Sequence, residues 1–250
     1  MLAAAGAVLG LPHEGVTAAP ATRAHNAGHV SAIAFDGFPI IDARPVVSRC
    51  IDVFGSHGEA LATAWRARQF DYTWLRTLAG QYRDFWHVTE DALVSAANSL
   101  GLLITQQERR ALMQGYLELR AWPDVRAALE VLRGAGVRMA FLSNLTAPML
   151  DAVLRNSGLQ EFFEPHLSTD AVGAYKPDPR AYAMALSAFG VARQHILFCA
   201  SASWDAAGAK WFGFPTFWLN RAKQPAEELG VQPDAIGSTL PELVSYVLGS

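Results

Sequence analysis

The sequence predicts an α/β fold: a parallel sheet covered by helices on both faces, with a helical domain inserted near its start. Three observations point there. Beyond Trp122, short apolar runs alternate with helical patterns, the arrangement that builds a parallel sheet with crossover helices. Between Val46 and Trp122 the chain carries helical patterns and no convincing strand. Ahead of that stretch, an apolar run from Ala32 to Phe35 ends on Asp36 and is followed by Gly37 and Pro39.

The elements follow in order. Ala32-Ile33-Ala34-Phe35 reads as a buried strand, because it is apolar throughout and bounded by turn residues. A carboxylate at its C-terminal end stands where open α/β sheets place their ligands, although a strand can also end on a turn or capping aspartate. Asp42 to Pro45 reads as a linker. Gly58 to Leu78 has Leu61, Trp65, Tyr72 and Leu75 at roughly helical spacing and stops at Gly80. Thr89 opens a second helix through Leu100, with Glu90 and Asp91 suited to its first turn. Thr105 with Glu108 forms a capping-box pattern that opens a third, running to about Leu119.

From Pro123-Asp124 a helix runs to Gly134. Val137 to Ser143 is then a strand, and Ala147 to Asn156 a helix closed by Gly158. His166 to Thr169 is a short strand and Pro179 to Phe189 a helix. His195 to Cys199 is a strand, and Trp204 to Trp211 a helix closed by Gly213. Thr216 to Leu219 is the last predicted strand and Leu240 to Leu248 the last helix.

Composition narrows the function classes. At 250 residues, 51% hydrophobic and 17% charged, the chain can bury one large core with a second domain inserted. A net charge of −3 gives no electrostatic case for nucleic acid or an anionic membrane as partner. Cys50 and Cys199 are too few for a disulfide framework or a cysteine metal site, and the seven histidines form no HExxH-like spacing. Residues 1–30 stand apart. Met1 to Leu11 is short and apolar, too short to span a bilayer, and Pro12 to Val30 is small and polar. This stretch is either the remainder of an export signal lacking its basic start or a flexible extension. The corresponding location is periplasmic in the first case and cytoplasmic in the second.

Four polar groups stand at the ends of predicted elements in a fixed order: Asp36 after the first strand, Ser143-Asn144 after the next, Lys176 ahead of a helix, and Asp205 after Phe198-Cys199-Ala200-Ser201-Ala202-Ser203-Trp204. This order resembles the four-motif layout of the haloacid dehalogenase superfamily. Each motif alone is weak, and the ordered set is specific. The resemblance covers about residues 31–245 and implies a Rossmann-like core of residues 31–45 and 123–250, with residues 46–122 as the family's helical cap domain.

Two positions separate the subfamilies. The metal-dependent phosphatases carry a second aspartate two residues after the nucleophile and an acidic residue about four before the last aspartate. Here these are Phe38 and Ser201. The resemblance therefore implies no catalytic metal, no cofactor and no phosphatase chemistry, since a hard cation needs several oxygen ligands. The stretches Trp65 to Arg76, Tyr175 to Tyr182 and Trp204 to Trp218 are similar to those of the L-2-haloacid dehalogenases. That subfamily hydrolyses small 2-haloalkanoic acids to 2-hydroxy acids through an aspartyl ester, and a homodimer is the assembly it suggests.

The resemblance makes Asp36 the nucleophile, Arg66 the cation that steadies departing halide, and Lys176 the ammonium beside nucleophile and substrate. Asp205 would position the hydrolytic water and pair with Lys176. Ser143 and Asn144 would hold the substrate carboxylate, or serve only as a helix start. Tyr182 matches a tyrosine near the lysine, or packs in its helix. Phe38, Phe70, Trp86 and Trp204 would wall an apolar pocket, or belong to the core. Four positions depart from the pattern. Pro39 replaces a glycine, Ile40 a threonine, Ala200 a serine and Ala202 an asparagine. These losses leave Asp36 and Arg66 for the first half-reaction but put the second in doubt, with Ser201 or Ser203 as substitutes that the sequence cannot place.

Overall fold

The computed structural model describes residues 30–249, so the expectation for the opening stretch lies outside the described residues but for Val30. The chain starts with β1 (Ala32–Phe35), α1 (Gly37–Ile40) and β2 (Ile41–Asp42). Four longer helices follow: α2 (Arg44–Phe54), α3 (Gly58–Leu78), α4 (Phe85–Ser99) and α5 (Gln106–Gln114). β3 (Arg120–Ala121) and α6 (Val125–Gly134) lead to β4 (Arg138–Ser143), α7 (Ala147–Ser157), β5 (Leu167–Ser168) and α8 (Pro179–Phe189). The rest is β6 (Ile196–Ala200), α9 (Ser203–Phe212), β7 (Thr216–Leu219), β8 (Ala235–Gly237) and α10 (Leu240–Leu248).

Six strands form one parallel sheet in the order β5-β4-β1-β6-β7-β8, as the α/β reading requires. β1 has a neighbour on each edge and a layer on each face, so all four of its residues are buried and none is polar. Phe35 lies level with Phe141 of β4 and Cys199 of β6. The two-residue period of the strand sorts its side chains. Ile33 and Phe35 join the larger apolar cluster with Leu129 of α6, Leu150 of α7 and Leu243 of α10. Ala32 and Ala34 face the other way, and there Tyr182 of α8 and Ala206 of α9 close over them.

The strand order positions the site. From β1 the sheet grows outward through β4 and β5, then resumes on the opposite edge of β1 with β6. Crossovers leave β1 on both sides, and the crevice beyond its C-terminal end is the ligand position of such sheets.

Several boundaries differ from the sequence reading. The supposed linker at 42–45 contains β2 and the start of α2, where the Asp42 carboxylate accepts the Arg44 N–H at 3.0 Å and pairs with its guanidinium. α4 begins at Phe85, capped by Asp84, whose Oδ1 accepts the His87 N–H at 2.9 Å. Thr89 is instead buried inside that helix, its carbonyl accepting Trp65 Nε1–H at 2.7 Å. The Thr105–Glu108 capping box forms as expected, but α5 ends at Gln114. β3 then pairs antiparallel with β2 in a stretch expected to hold no strand. β8 was not legible, because its three residues are half-buried or, at Ile236, exposed and form no apolar run.

The helical segment touches the sheet domain next to Lys176. Thr77 at the end of α3 accepts the Tyr175 N–H at 3.0 Å, Tyr175 donates its hydroxyl to the Arg83 carbonyl, and Tyr82 donates to Asp170.

Candidate active site

Asp36 follows β1 directly. Its N–H is bonded to the Cys199 carbonyl of β6 at 3.0 Å, which fixes the backbone at the sheet's edge. Its side chain turns back as the cap of the short α1, with Oδ2 accepting the Phe38 N–H at 3.3 Å. The Lys176 ammonium donates to Asp36 Oδ1 at 2.7 Å and to Asp205 Oδ2 at 2.6 Å. Tyr182 donates to Asp205 Oδ1 at 2.7 Å, and Ser201 donates to Asp36 Oδ2 at 2.6 Å. Each of the four carboxylate oxygens therefore has a donor. The Asn144 side chain fixes the lysine segment by accepting the Lys176 N–H at 3.1 Å.

Lys176 and Asp205 are each 1% exposed and Asp36 7%. In so dry a place one ammonium between two carboxylates leaves a net negative charge. Burial alone would raise the Asp36 pKa, but the Lys176 charge and the donors Lys176, Ser201 and Gly37 N–H bring it below the ordinary value. Burial likewise opposes the charge on Lys176, and the two carboxylates outweigh it and push its pKa up. Asp205 ends on the other side. Burial and the Asp36 charge raise it to about 6, against the opposing pull of Lys176 and Tyr182. Asp36 is thus the acid whose ionised form the surroundings favour, and Asp205 the one whose pKa they raise.

Beside these groups lies a small, partly open cavity of about 20 Å3, lined by Asp36, Phe38, Phe70, Phe85, Trp204 and Asp205 together with Ser143, Asn144 and Ser201. A single water needs on the order of 10–15 Å3 by this measure, so the walls must yield to admit a small acid. Phe70 comes from α3 and meets Trp204 of α9 edge-on at 5.3 Å, while Trp74 meets Trp204 at 5.4 Å. The Arg66 guanidinium lies over Phe38 at 5.2 Å and Phe70 at 5.4 Å, and among the described residues it forms no ion pair. Its residue is exposed, so the cation stands at the rim. Ser143 lines the cavity while its Oγ accepts the Leu145 N–H at 3.2 Å.

The structure brings together Asp36, Lys176, Asp205, Ser143, Asn144, Phe38 and Trp204, with Arg66 packed on two of the wall rings. Tyr182 stands near the lysine through Asp205, which it bonds from behind, but it is fully buried and does not line the cavity, so the expectation that it binds substrate is corrected. Gly208 permits this, because a Cβ there would collide with the Tyr182 hydroxyl and stand 2.8 Å from Pro177. Trp86 is replaced on the wall by Phe85, one residue earlier, which the displaced start of α4 explains. Ser201 is the residue whose contact the sequence left open. Its place after a strand end was the available signal.

The donors here do not make a hard-cation site. Only two carboxylates converge, and the ammonium already stands between them.

Three comparisons place these features among known proteins. A model of the haloacid dehalogenase-like hydrolases matches residues 19–213. The (S)-2-haloacid dehalogenase of Pseudomonas sp. strain YL is 41% identical over 207 residues, covering 82% of this chain and 89% of that protein. Among solved structures, an L-2-haloacid dehalogenase with 41% identity superposes with a TM-score of 0.86, covering 88% of this chain and 99% of its own. The L-2-haloacid dehalogenase of Xanthobacter autotrophicus with chloropropionic acid covalently bound gives a TM-score of 0.82 at 30% identity, covering 88% and 99%.

Proposed function

The chain belongs to the haloacid dehalogenase-like hydrolases, and within that family we propose that it hydrolyses small (S)-2-haloalkanoic acids to 2-hydroxy acids, with Asp36 as the nucleophile and no metal. The observation that carries this reading is the shared hollow. An acid held ionised by a buried ammonium faces a small aromatic cavity, with a second acid of raised pKa on the same ammonium.

In the first step an Asp36 oxygen attacks C2 of the substrate from the side opposite the halogen. The C–O bond forms, the C–halogen bond breaks with its electron pair, and configuration inverts. Arg66, over the Phe38 and Phe70 rings of the wall, is the group suited to receive the anion. Ser143 and the Asn144 backbone take the substrate carboxylate, and Lys176 offsets its repulsion from Asp36. In the second step water adds to Cγ of the ester, helped by Asp205, and the 2-hydroxy acid leaves. The relative with covalently bound chloropropionic acid supports an intermediate of this kind. Assigning residues 46–122 as the cap is supported by Phe70 and Phe85, both from that segment and both on the cavity wall.

The test is halide release from L-2-chloropropionate in the presence of a metal chelator. Wild type should release chloride and Asp36→Asn none. The reading is wrong if wild type also leaves chloro-, bromo- and fluoroacetate intact.

A further inference from the structure

We propose that the Ser201 hydroxyl serves the second half-reaction: it is the donor that favours cleavage of the Asp36 ester and contributes little to its formation. The inference rests on the dehalogenase reading and adds a residue and a step to it.

Ser201 is held at two points, by its hydroxyl and by its backbone carbonyl. The hydroxyl oxygen lies 2.6 Å from Asp36 Oδ2. The Ser201 carbonyl accepts Trp218 Nε1–H at 3.2 Å, and Trp218 is itself buried in β7. Ser201 stands between the end of β6 and the start of α9, where the sheet margin meets the cavity. The Phe38 N–H reaches the same Oδ2 at 3.3 Å, so two donors converge on one oxygen.

What such a donor does follows from where charge goes. In the first step Asp36 begins as a carboxylate and ends as a neutral ester, so Oδ2 loses negative charge whichever oxygen attacks. A hydrogen bond to it weakens along the way and cannot accelerate that step. In the second step the water oxygen bonds to Cγ, and the carbonyl pair moves onto the carbonyl oxygen. The bond from Cγ to the alkyl-bearing oxygen then breaks, and that oxygen leaves with the pair and takes a proton as the product hydroxyl. The second proton of the water goes to solvent through Asp205, and Asp36 returns as a carboxylate. Oδ2 is either the carbonyl oxygen or the departing one. Both gain negative charge in this step, so the Ser201 bond strengthens.

The experiment follows wild type, Ser201→Ala and Asp36→Asn mixed with excess L-2-chloropropionate, rapidly quenched, with chloride and intact protein mass read at each time. In Ser201→Ala the expected result is a burst of one chloride per chain at no less than the wild-type rate. A steady phase slowed by about ten- to hundredfold should follow, with most of the protein carrying the carboxyalkyl adduct. A merely structural role would slow both phases together with no adduct, and that outcome overturns the proposal, as does an unchanged steady rate. Wild type that yields neither chloride nor adduct would instead remove the dehalogenase reading itself, and this proposal with it.

Discussion

Lys176 Nζ lies 2.6 Å from Asp205 Oδ2, and the same nitrogen is 2.7 Å from Asp36 Oδ1. One buried cation thus serves two acids whose pKa values move apart, Asp36 downward and Asp205 up to about 6. Separation of this kind suits the proposed roles of Asp36 as nucleophile and Asp205 as the group that exchanges a proton.

Replacing Lys176 by Met should abolish chloride release and destabilise the fold by about 3–5 kcal/mol, because two buried carboxylates would then face each other without a cation. With the ammonium gone both carboxyls bind protons more tightly folded than unfolded. The loss should therefore shrink as pH falls from 8 to 5. Urea titrations at the two pH values measure this, and an equal loss at both would contradict it.

The acid limb of ester hydrolysis should lie below pH 6. Asp205 is raised to about 6 first by burial and then by the charge on Asp36. Esterification removes that charge, so Asp205 is a stronger acid in the intermediate and stays ionised to lower pH. Tyr182→Phe removes a donor that favours the ionised form, so it should move the limb to higher pH. Single-turnover hydrolysis of the quenched adduct against pH reads both shifts.

Gly208→Ala should destabilise by roughly 1–3 kcal/mol, since the new methyl overpacks against Tyr182 and Pro177. It should also reproduce the pH shift of Tyr182→Phe by driving the hydroxyl away from Asp205. Thermal melting together with the same pH profile checks this, and a melting loss with an unmoved limb would separate the two effects.

Phe70→Ala should relax the limit on chain length. The ring closes a cavity of about 20 Å3 and rests against Trp204. Its removal should raise kcat/KM for 2-bromohexanoate relative to bromoacetate by about tenfold, the discrimination a methylene or two commands in an apolar pocket. A ratio unchanged from wild type would place the limit elsewhere.

Arg66→Lys should leave melting nearly unchanged, as the residue is exposed, yet lower kcat by about ten- to hundredfold. An ammonium lacks the planar, delocalised group that the guanidinium brings to the Phe38 and Phe70 rings. Steady-state chloride release with both proteins at matched folding decides it.

Much of this was legible in the sequence because the decisive residues follow strands. Asp36, Ser143 and Ser201 sit where a parallel sheet ends, and strand ends are marked by apolar runs that stop abruptly. Pro179–Phe189 and Leu240–Leu248 matched to the residue, each framed by proline at its start and a left-handed glycine, Gly190 and Gly249, at its close. What stayed hidden depends on rotation about a helix or on long-range pairing. The start of α4 lies five residues before the expected one, and Phe85 rather than Trp86 stands on the wall. Tyr182 stands six residues from Lys176, and only the packing of α8 against α9 decides that it reaches Asp205 and not the cavity. β2 and β3 pair across nearly eighty residues, and neither strand is long enough to announce itself.

The bond from Tyr175 to Thr77 gives the site a mechanical property. The next residue after Tyr175 is Lys176, and Thr77 lies in the last turn of the helix that also carries Phe70. Lifting that helix away to let an acid in must either rupture the tether or draw the ammonium's segment along with it. The helix that walls the cavity and the segment that carries the cation are therefore joined by a hydrogen bond.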